Sequence, residues 1–216
     1  MNTDFARQQM IDQQVRAWSV LDVNVLAALK AVPREQFVPE VFRKLAFADT
    51  DIPLGHGQMM MTPTIEGRVL QALLPAAGDK VLEIGTGSGF LTAVLAKLSA
   101  AVTSIDIYDD FLDTAKRRLE DCEIENVELI NMDGTKSLPA ETFDAIAVTG
   151  SMQVLDQRLK NALNPGGRLF VVLGDAPAMT ATRVTRIDAN EWQSDTLFET
   201  DLPPLVNGAL PPQFSF

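Results

Sequence analysis

Residues 81–89 read VLEIGTGSG, a short apolar run that ends in an acid and opens into three glycines at alternate positions. Such a run is a strand that delivers a backbone loop to a ligand. Gly85, Gly87 and Gly89 let the chain turn without a Cβ penalty and let a ligand lie against bare peptide. Residues 90–98 follow as a helix whose N-terminal amides face that ligand. The spacing also discriminates between ligands. A dinucleotide fingerprint requires G-x-G-x-x-G, yet the third glycine slot is Phe90 counted from Gly85 and Thr92 counted from Gly87. A phosphate-cradling loop requires Gly-Lys followed by a hydroxyl, but Gly134-Thr135-Lys136-Ser137 interposes a threonine and lacks the upstream glycine. Neither phosphate motif is present.

Outward from this loop the chain is an alternating β/α body behind a helical preface. Apolar spacing predicts helices over residues 5–18 and 22–31, then a loop over residues 49–61, DTDIPLGHGQMMM. Thr62-Pro63 is an N-cap followed by proline at the first helical position, so a helix runs from there to about Leu74. After the glycine loop come strands at 101–105, 127–131 and 143–148, with helices at 110–119 and 153–163. Asn164-Pro165-Gly166-Gly167 stops the second of these, and RLFVVL follows as a buried strand. Strands separated by helices imply a parallel sheet. Residues 181–187 and 195–200 have no helix between them and read as a terminal antiparallel hairpin. Residues 1–78 are expected to form the helical cap and a substrate loop within the same domain as the core, 79–216.

Composition bounds the partners. The chain has 216 residues, 46% of them hydrophobic, enough for one principal core. Its 29 acidic and 18 basic residues give a net charge of -11, which repels nucleic acid. The densest basic cluster, Lys116-Arg117-Arg118, sits where a helix C-terminus favours positive charge. One cysteine, Cys122, and one histidine, His56, exclude internal disulfides and thiolate or histidine-rich metal sites. No apolar run approaches the roughly 18 residues of a membrane span. The start MNTDFARQQM has no apolar leader, so a cytoplasmic location is expected.

In an open parallel sheet a ligand binds across the carboxyl ends of the strands, where strand order reverses. The residues there form a consistent set. Asp106 follows the second strand, with two oxygens able to accept both ribose hydroxyls of a nucleoside. Asp133-Gly134 follows the third, pairing a carboxylate acceptor for an adenine amino group with a glycine that lets the ring approach. Thr149-Gly150-Ser151 follows the fourth and closes the far end. His56, between two glycines, reads as a loop hydrogen-bonder with nothing nearby to orient it, and Trp18 and Trp192 as packing residues.

An acid followed by G-x-G-x-G resembles motif I of the class I S-adenosylmethionine-dependent methyltransferases. The resemblance sharpens with VLDVNVLAALKAVPREQFVPE, AFADTDIPLGHGQ, FDAIAVTGS and LNPGGRLFVVLG, which are similar to the protein-L-isoaspartate O-methyltransferase family along nearly the whole chain. That resemblance implies an α/β fold, a three-layer Rossmann-like sandwich with a mostly parallel seven-stranded sheet, a terminal antiparallel hairpin and an N-terminal helical cap. It implies a repair enzyme that methylates the stray carboxylate of L-isoaspartyl residues in proteins or peptides, using S-adenosylmethionine and releasing S-adenosylhomocysteine, with no metal. The cofactor-binding set it implies is Gln58, Met59, Glu83, Gly85, Thr86, Gly87, Gly89, Asp106, Ile107, Asp133, Gly134 and Thr149. The loop from Gln58 to Thr62 would cover cofactor and substrate, and residues 205–213 would lie near the substrate opening.

The departure lies in that loop. The family continues Gly-Gln with Thr-Ile-Ser, and the serine is the residue held to act on the substrate; here Met59-Met60-Met61 follows Gln58, placing Met61 at the catalytic position. A family histidine is replaced by Glu66. A thioether cannot donate a hydrogen bond, and a carboxylate facing the same pocket would repel an anionic acceptor or hold the cofactor's ammonium. Three readings stay open: an isoaspartyl methyltransferase, a methyltransferase of the same lineage with a less anionic acceptor, including an unidentified small molecule, and a non-catalytic cofactor-binding module.

Overall fold

The computed structural model describes residues 3–208. Helix α1 (Thr3–Met10) continues through a π-helical turn, Ile11–Val15, and a 3₁₀ turn, Arg16–Trp18, so the first expected helix is one run of changing pitch. Met10, Ile11 and Val15 are buried, but Trp18 is 47% exposed, which corrects its reading as a packing residue. Helix α2 (Val23–Ala31) begins at Asp22, whose carboxylate accepts from the amides of Asn24 and Val25. The one-turn α3 (Arg34–Phe37) follows.

Where a loop was expected over residues 49–61, the chain forms a hairpin of β1 (Ile52–Gly55) and β2 (Gln58–Met60). His56 and Gly57 at its tip both take positive φ, 51° and 72°, the backbone twist a tight hairpin turn favours. Helix α4 (Pro63–Leu73) starts as the sequence predicts, with the Thr62 hydroxyl accepting from the Ile65 amide.

The remainder is β3 (Lys80–Ile84), α5 (Phe90–Leu98), β4 (Ala101–Asp106), α6 (Asp109–Asp121), β5 (Val127–Asn131), β6 (Phe143–Met152), α7 (Gln157–Asn161), β7 (Leu163–Leu173), β8 (Met179–Asp188) and β9 (Glu191–Thr200). The seven-stranded sheet has the order β5-β4-β3-β6-β7-β8-β9. Strands β5 to β7 are parallel, and β8 runs antiparallel to both of its neighbours. Strand order therefore reverses beside β3, at the glycine loop. Val81, Ala145 and Ala147 pack into one apolar cluster while Leu82, Ile146 and Val148 pack into another, so alternate side chains of the central strands serve the two outer layers.

Two expectations shift. Strand β6 runs on to Met152 and Asp156 caps the next helix, so the helix expected over residues 153–163 contracts to α7. Asn164 to Gly167 form a bulge inside β7, where Phe143 pairs with Leu163 but Ala145 pairs with Arg168. Among the described residues no helix is long and apolar enough to cross a membrane.

Candidate functional site

The carboxyl ends of β3, β4 and β6 and the turn after β5 border one cavity, and the glycine loop forms its floor. Side chains of three residues, Thr149, Asp106 and Arg118, bond its backbone. The Thr149 hydroxyl donates to the carbonyls of Ile84 at 3.0 Å and Gly85 at 2.8 Å, so this residue braces the loop from β6. The Gly87 amide donates to Asp106 Oδ2 at 2.9 Å. From the last turn of α6, Arg118 Nη1 donates to the Ser88 carbonyl at 2.9 Å, a loop contact beyond the helix-end role read from the sequence. Gly85 sits at φ +98°, and a Cβ there would lie 2.2 Å from Thr149 Oγ1, so only glycine fits. A Cβ at Gly134 would come within 2.7 Å of Ile84 Cγ2, so the bare backbone keeps this end of the cavity open. Gly89 does not border the cavity: a Cβ would lie 2.8 Å from that of Ala115, and its place is in the packing of α5 on α6.

The acids lie where the strand ends predict. Asp106 takes the Gly87 amide on one oxygen and the Tyr108 amide on the other, which leaves further lone pairs of both oxygens for hydroxyl donors. Burial pushes its carboxyl up, against the pull of those amides. Asp133 accepts from the Thr135 amide and hydroxyl on Oδ1 and from Asn207 Nδ2 and Lys136 Nζ on Oδ2. Desolvation alone would raise it; the bonds from Lys136, Thr135 and Asn207 outweigh that and hold it well below the usual carboxylate range. Apolar side chains sequence reasoning did not single out, Ile84, Ile105, Phe111 and Met132, give the cavity walls suited to a flat base, joined by Ile107, which it did.

The hairpin covers the opposite side. Gln58 and Met59 border the main cavity, and Met59, Met60 and Met61 border a smaller one beside residues 85–88. His56 at the tip is oriented after all: its Nε2 lies 3.0 Å from Asp110 Oδ2, and its ring stacks on Tyr108 with centroids 4.0 Å apart. Met60 and Met61 are 3% and 7% exposed and belong to the main core cluster, so position 61 is largely packing.

The VPREQF segment contributes the residue that organises this loop. Arg34 is wholly buried and donates from Nη1 to both oxygens of Glu66, at 2.9 and 2.7 Å, from Nη2 to the Met61 carbonyl at 2.8 Å, and from Nε to the Ala46 carbonyl at 2.9 Å. Its guanidinium also lies 5.0 Å from the centre of the Phe90 ring. Glu66 does border the small cavity, but in a bidentate pair. Burial pushes its carboxyl up to about 7 while Arg34 pulls it down.

Glu83 borders the same small cavity, wholly buried. Its Oε2 accepts from the hydroxyls of Thr92 and Ser104, and the Thr86 hydroxyl in turn bonds that of Ser104 at 2.6 Å. Burial raises the carboxyl to about 8, the hydroxyls opposing, so it holds its proton at neutral pH. Its Oε1 is buried without a partner among the described residues. A buried polar atom without a partner beside a loop that only glycine can form is what a nucleoside cofactor with a polar amino-acid tail fits. Among the described residues no three His, Cys, Asp or Glu side chains cluster to hold a metal.

Sheet order, glycine loop and strand-end acids define a class I S-adenosylmethionine-dependent methyltransferase. The chain belongs to the protein-L-isoaspartate O-methyltransferase family: the profile of protein-L-isoaspartate(D-aspartate) O-methyltransferase matches residues 5–209. It is similar to protein-L-isoaspartate O-methyltransferase 1 of Rhodopseudomonas palustris strain HaA2, 39% identical over 208 residues, covering 94% of this chain and 85% of the relative. It is 34% identical over 206 residues to the Aliivibrio salmonicida enzyme, covering 95% and 98%. In fold it matches a candidate protein-L-isoaspartate O-methyltransferase from Plasmodium falciparum crystallised with S-adenosyl-L-homocysteine, with a TM-score of 0.81 and 19% identity over 95% of this chain and 98% of that one.

Proposed function

We propose that this methyltransferase acts on the free carboxylate of L-isoaspartyl residues in proteins or peptides. The observation that carries the reading is electrostatic. The two carboxyls beside residues 85–88 are both compensated, Glu66 by Arg34 Nη1, which donates to both of its oxygens, and Glu83 by the burial that raises it to about 8. An anionic acceptor entering there meets no uncompensated negative charge from either, which removes the objection that Glu66 raises in the sequence.

In this reading Asp106 accepts the ribose hydroxyls, Asp133 and Gly134 meet the adenine edge, and Glu83, Thr86 and Thr149 border the methionine end. Gln58 and Met59 form the cover. S-adenosylmethionine supplies a methyl group whose leaving group is already activated. The chain's own work is to hold an ionised acceptor oxygen in line, with no general base needed because a carboxylate is already deprotonated at pH 7. The Cys122 thiol, free and half-buried, suits a reducing cytoplasm.

The methionine-lined hairpin favours a second reading, a less anionic acceptor, since Met59 faces both cavities with no hydrogen to donate. Base-labile methanol release separates the two, because a carboxyl methyl ester hydrolyses in mild base while N-methyl and ether products do not. Ester formation on an isoaspartyl peptide and not on its aspartyl isomer is expected. Tight cofactor binding with no ester from either peptide would favour the second reading.

A further inference from the structure

Arg158 stands outside the main cavity yet commits its guanidinium to the turn that forms one end of it. Asp133, Gly134 and Thr135 line that end, whereas Lys136 and Arg158 do not border the cavity. From α7, Arg158 Nη2 donates to the Thr135 carbonyl at 2.5 Å and Nη1 to the Lys136 carbonyl at 2.6 Å. The guanidinium is itself aimed by Asp156, whose Oδ2 accepts from Nε at 2.8 Å and from Nη2 at 2.5 Å. Asp156 Oδ1 meanwhile accepts from the Arg158 amide at 2.8 Å as the cap of α7. One carboxylate thus starts the helix and orients the arginine.

In the strand order β5-β4-β3-β6 the turn follows β5 and α7 follows β6, so the arginine ties together segments from either side of β4 and β3. The turn it holds has little room to shift toward the sheet, because a Cβ on Gly134 would lie 2.7 Å from Ile84 Cγ2. Thr135 is fixed at both of its backbone polar groups: its carbonyl accepts from Arg158, and its amide donates to Asp133 Oδ1 at 3.0 Å. Its hydroxyl donates to the same carboxylate oxygen. A displaced Thr135 would therefore carry the Asp133 carboxylate with it. We propose that Arg158 is a positioning residue for recognition of the base: acting through Thr135, it holds Asp133 where the carboxylate distinguishes an amino group from a carbonyl oxygen on the purine edge. This rests on the reading that Asp133 and Gly134 meet the adenine edge of the cofactor.

The test is titration calorimetry of the full chain, as wild type, Arg158→Ala and Arg158→Lys, with two ligands. One is S-adenosylhomocysteine and the other S-inosylhomocysteine, in which a carbonyl oxygen replaces the adenine amino group. Wild type should favour the adenosyl compound. Arg158→Ala should lose about fivefold or more of its affinity for that compound and little of its affinity for the inosyl one, so the preference shrinks. Arg158→Lys keeps the charge but not the rigid fork that reaches two carbonyls, and should recover only part of the preference. Equal losses for both ligands would make the arginine a general support of the cavity and overturn the proposal, as would unchanged affinities. Full recovery in Arg158→Lys would assign the effect to charge near Asp133 and overturn it too. Thermal unfolding confirms that each variant is folded; if the alanine variant is not, the ratio of affinities in the lysine variant decides alone. Failure of wild type to bind either ligand overturns the cofactor reading, and equal binding of both overturns the reading of Asp133 and the proposal with it, each before any variant is compared.

Discussion

Met61→Ser tests whether the acceptor site lacks a donor. Met61 is 7% exposed within the main core cluster, so the substitution removes most of a buried side chain. Truncating a buried methionine costs about 2 to 5 kcal/mol, a large part of the roughly 5 to 15 kcal/mol that hold a domain together. The backbone at this position should nevertheless stay in place, because Arg34 Nη2 holds the Met61 carbonyl at 2.8 Å whatever the side chain. The new hydroxyl would border the small cavity beside residues 85–88. If it donates to an acceptor carboxylate, one charge-assisted hydrogen bond of about 1.5 to 3 kcal/mol raises the rate by roughly one to two orders of magnitude. Expected, then, is a variant less stable in urea but more active on an isoaspartyl peptide, starting from slow wild-type turnover. The assay is base-labile methanol release with the aspartyl isomer as control. A folded variant with unchanged cofactor affinity and no gain in kcat/KM would refute the premise that a missing donor limits the wild type. Vigorous wild-type turnover would refute it from the other side, because the serine would then be dispensable.

Asp106→Ala should weaken S-adenosylhomocysteine binding by at least about tenfold in titration calorimetry, since it removes the acceptor for two hydroxyls and frees the Gly87 and Tyr108 amides. Arg34→Met should destabilise the fold, read by urea unfolding, by about 1 to 3 kcal/mol for each buried acceptor left unpaired, because it removes the donors to the Met61 and Ala46 carbonyls as well as the partner of Glu66. Adding Glu66→Gln, which removes the carboxyl left without its partner, should recover part of that loss. Glu83 and Glu66 both have folded values above their ordinary one, about 8 and about 7 against 4.5, so the folded state binds more protons than the unfolded chain. Their contribution is therefore complete below about pH 4.5 and is lost as pH rises through 7 to 8. Urea midpoints should fall across that window, and Glu83→Gln should flatten the fall; a midpoint that rises from pH 5 to 8 in wild type would contradict the assigned protonation.

What the sequence made legible is what a single residue's backbone or a single strand end demands. Gly85 and Gly134 are legible because any side chain there collides, and Asp106 and Asp133 because a parallel sheet presents its strand ends to one side. The hairpin at residues 52–60 was hidden because Gly-His-Gly reads as loop chemistry, yet positive φ at two successive residues is also what a tight turn needs. The clasp of His56 on Tyr108 and Asp110 was out of view for another reason, its partners lying over fifty positions along the chain. Leu205 and Val206 were anticipated only as tail near an opening, and residues 209–213 of that expectation lie outside the described residues.

Arg34 and Glu66 show where local reading fails and what signal it left unused. Each is a charge beside residues that the fold buries: Arg34 leads into buried Phe37 and Val38, and Glu66 sits on a helix that buries Val69, Leu70 and Leu73. Isolated buried charges of opposite sign require one another, because neither can be desolvated alone. Taken singly, Glu66 looked hostile to an anionic acceptor, and Met61 looked like the loss of a functional group. Taken together they describe a loop built around an arginine, in which Glu66 pairs with the cation, the Met61 carbonyl receives one of its donors, and the Met60 and Met61 side chains pack in the main core cluster. Position 61 is then fixed by its backbone rather than by its side chain. Its side chain can therefore vary without moving the loop, so Met61→Ser changes what borders the small cavity while the backbone stays where Arg34 holds it.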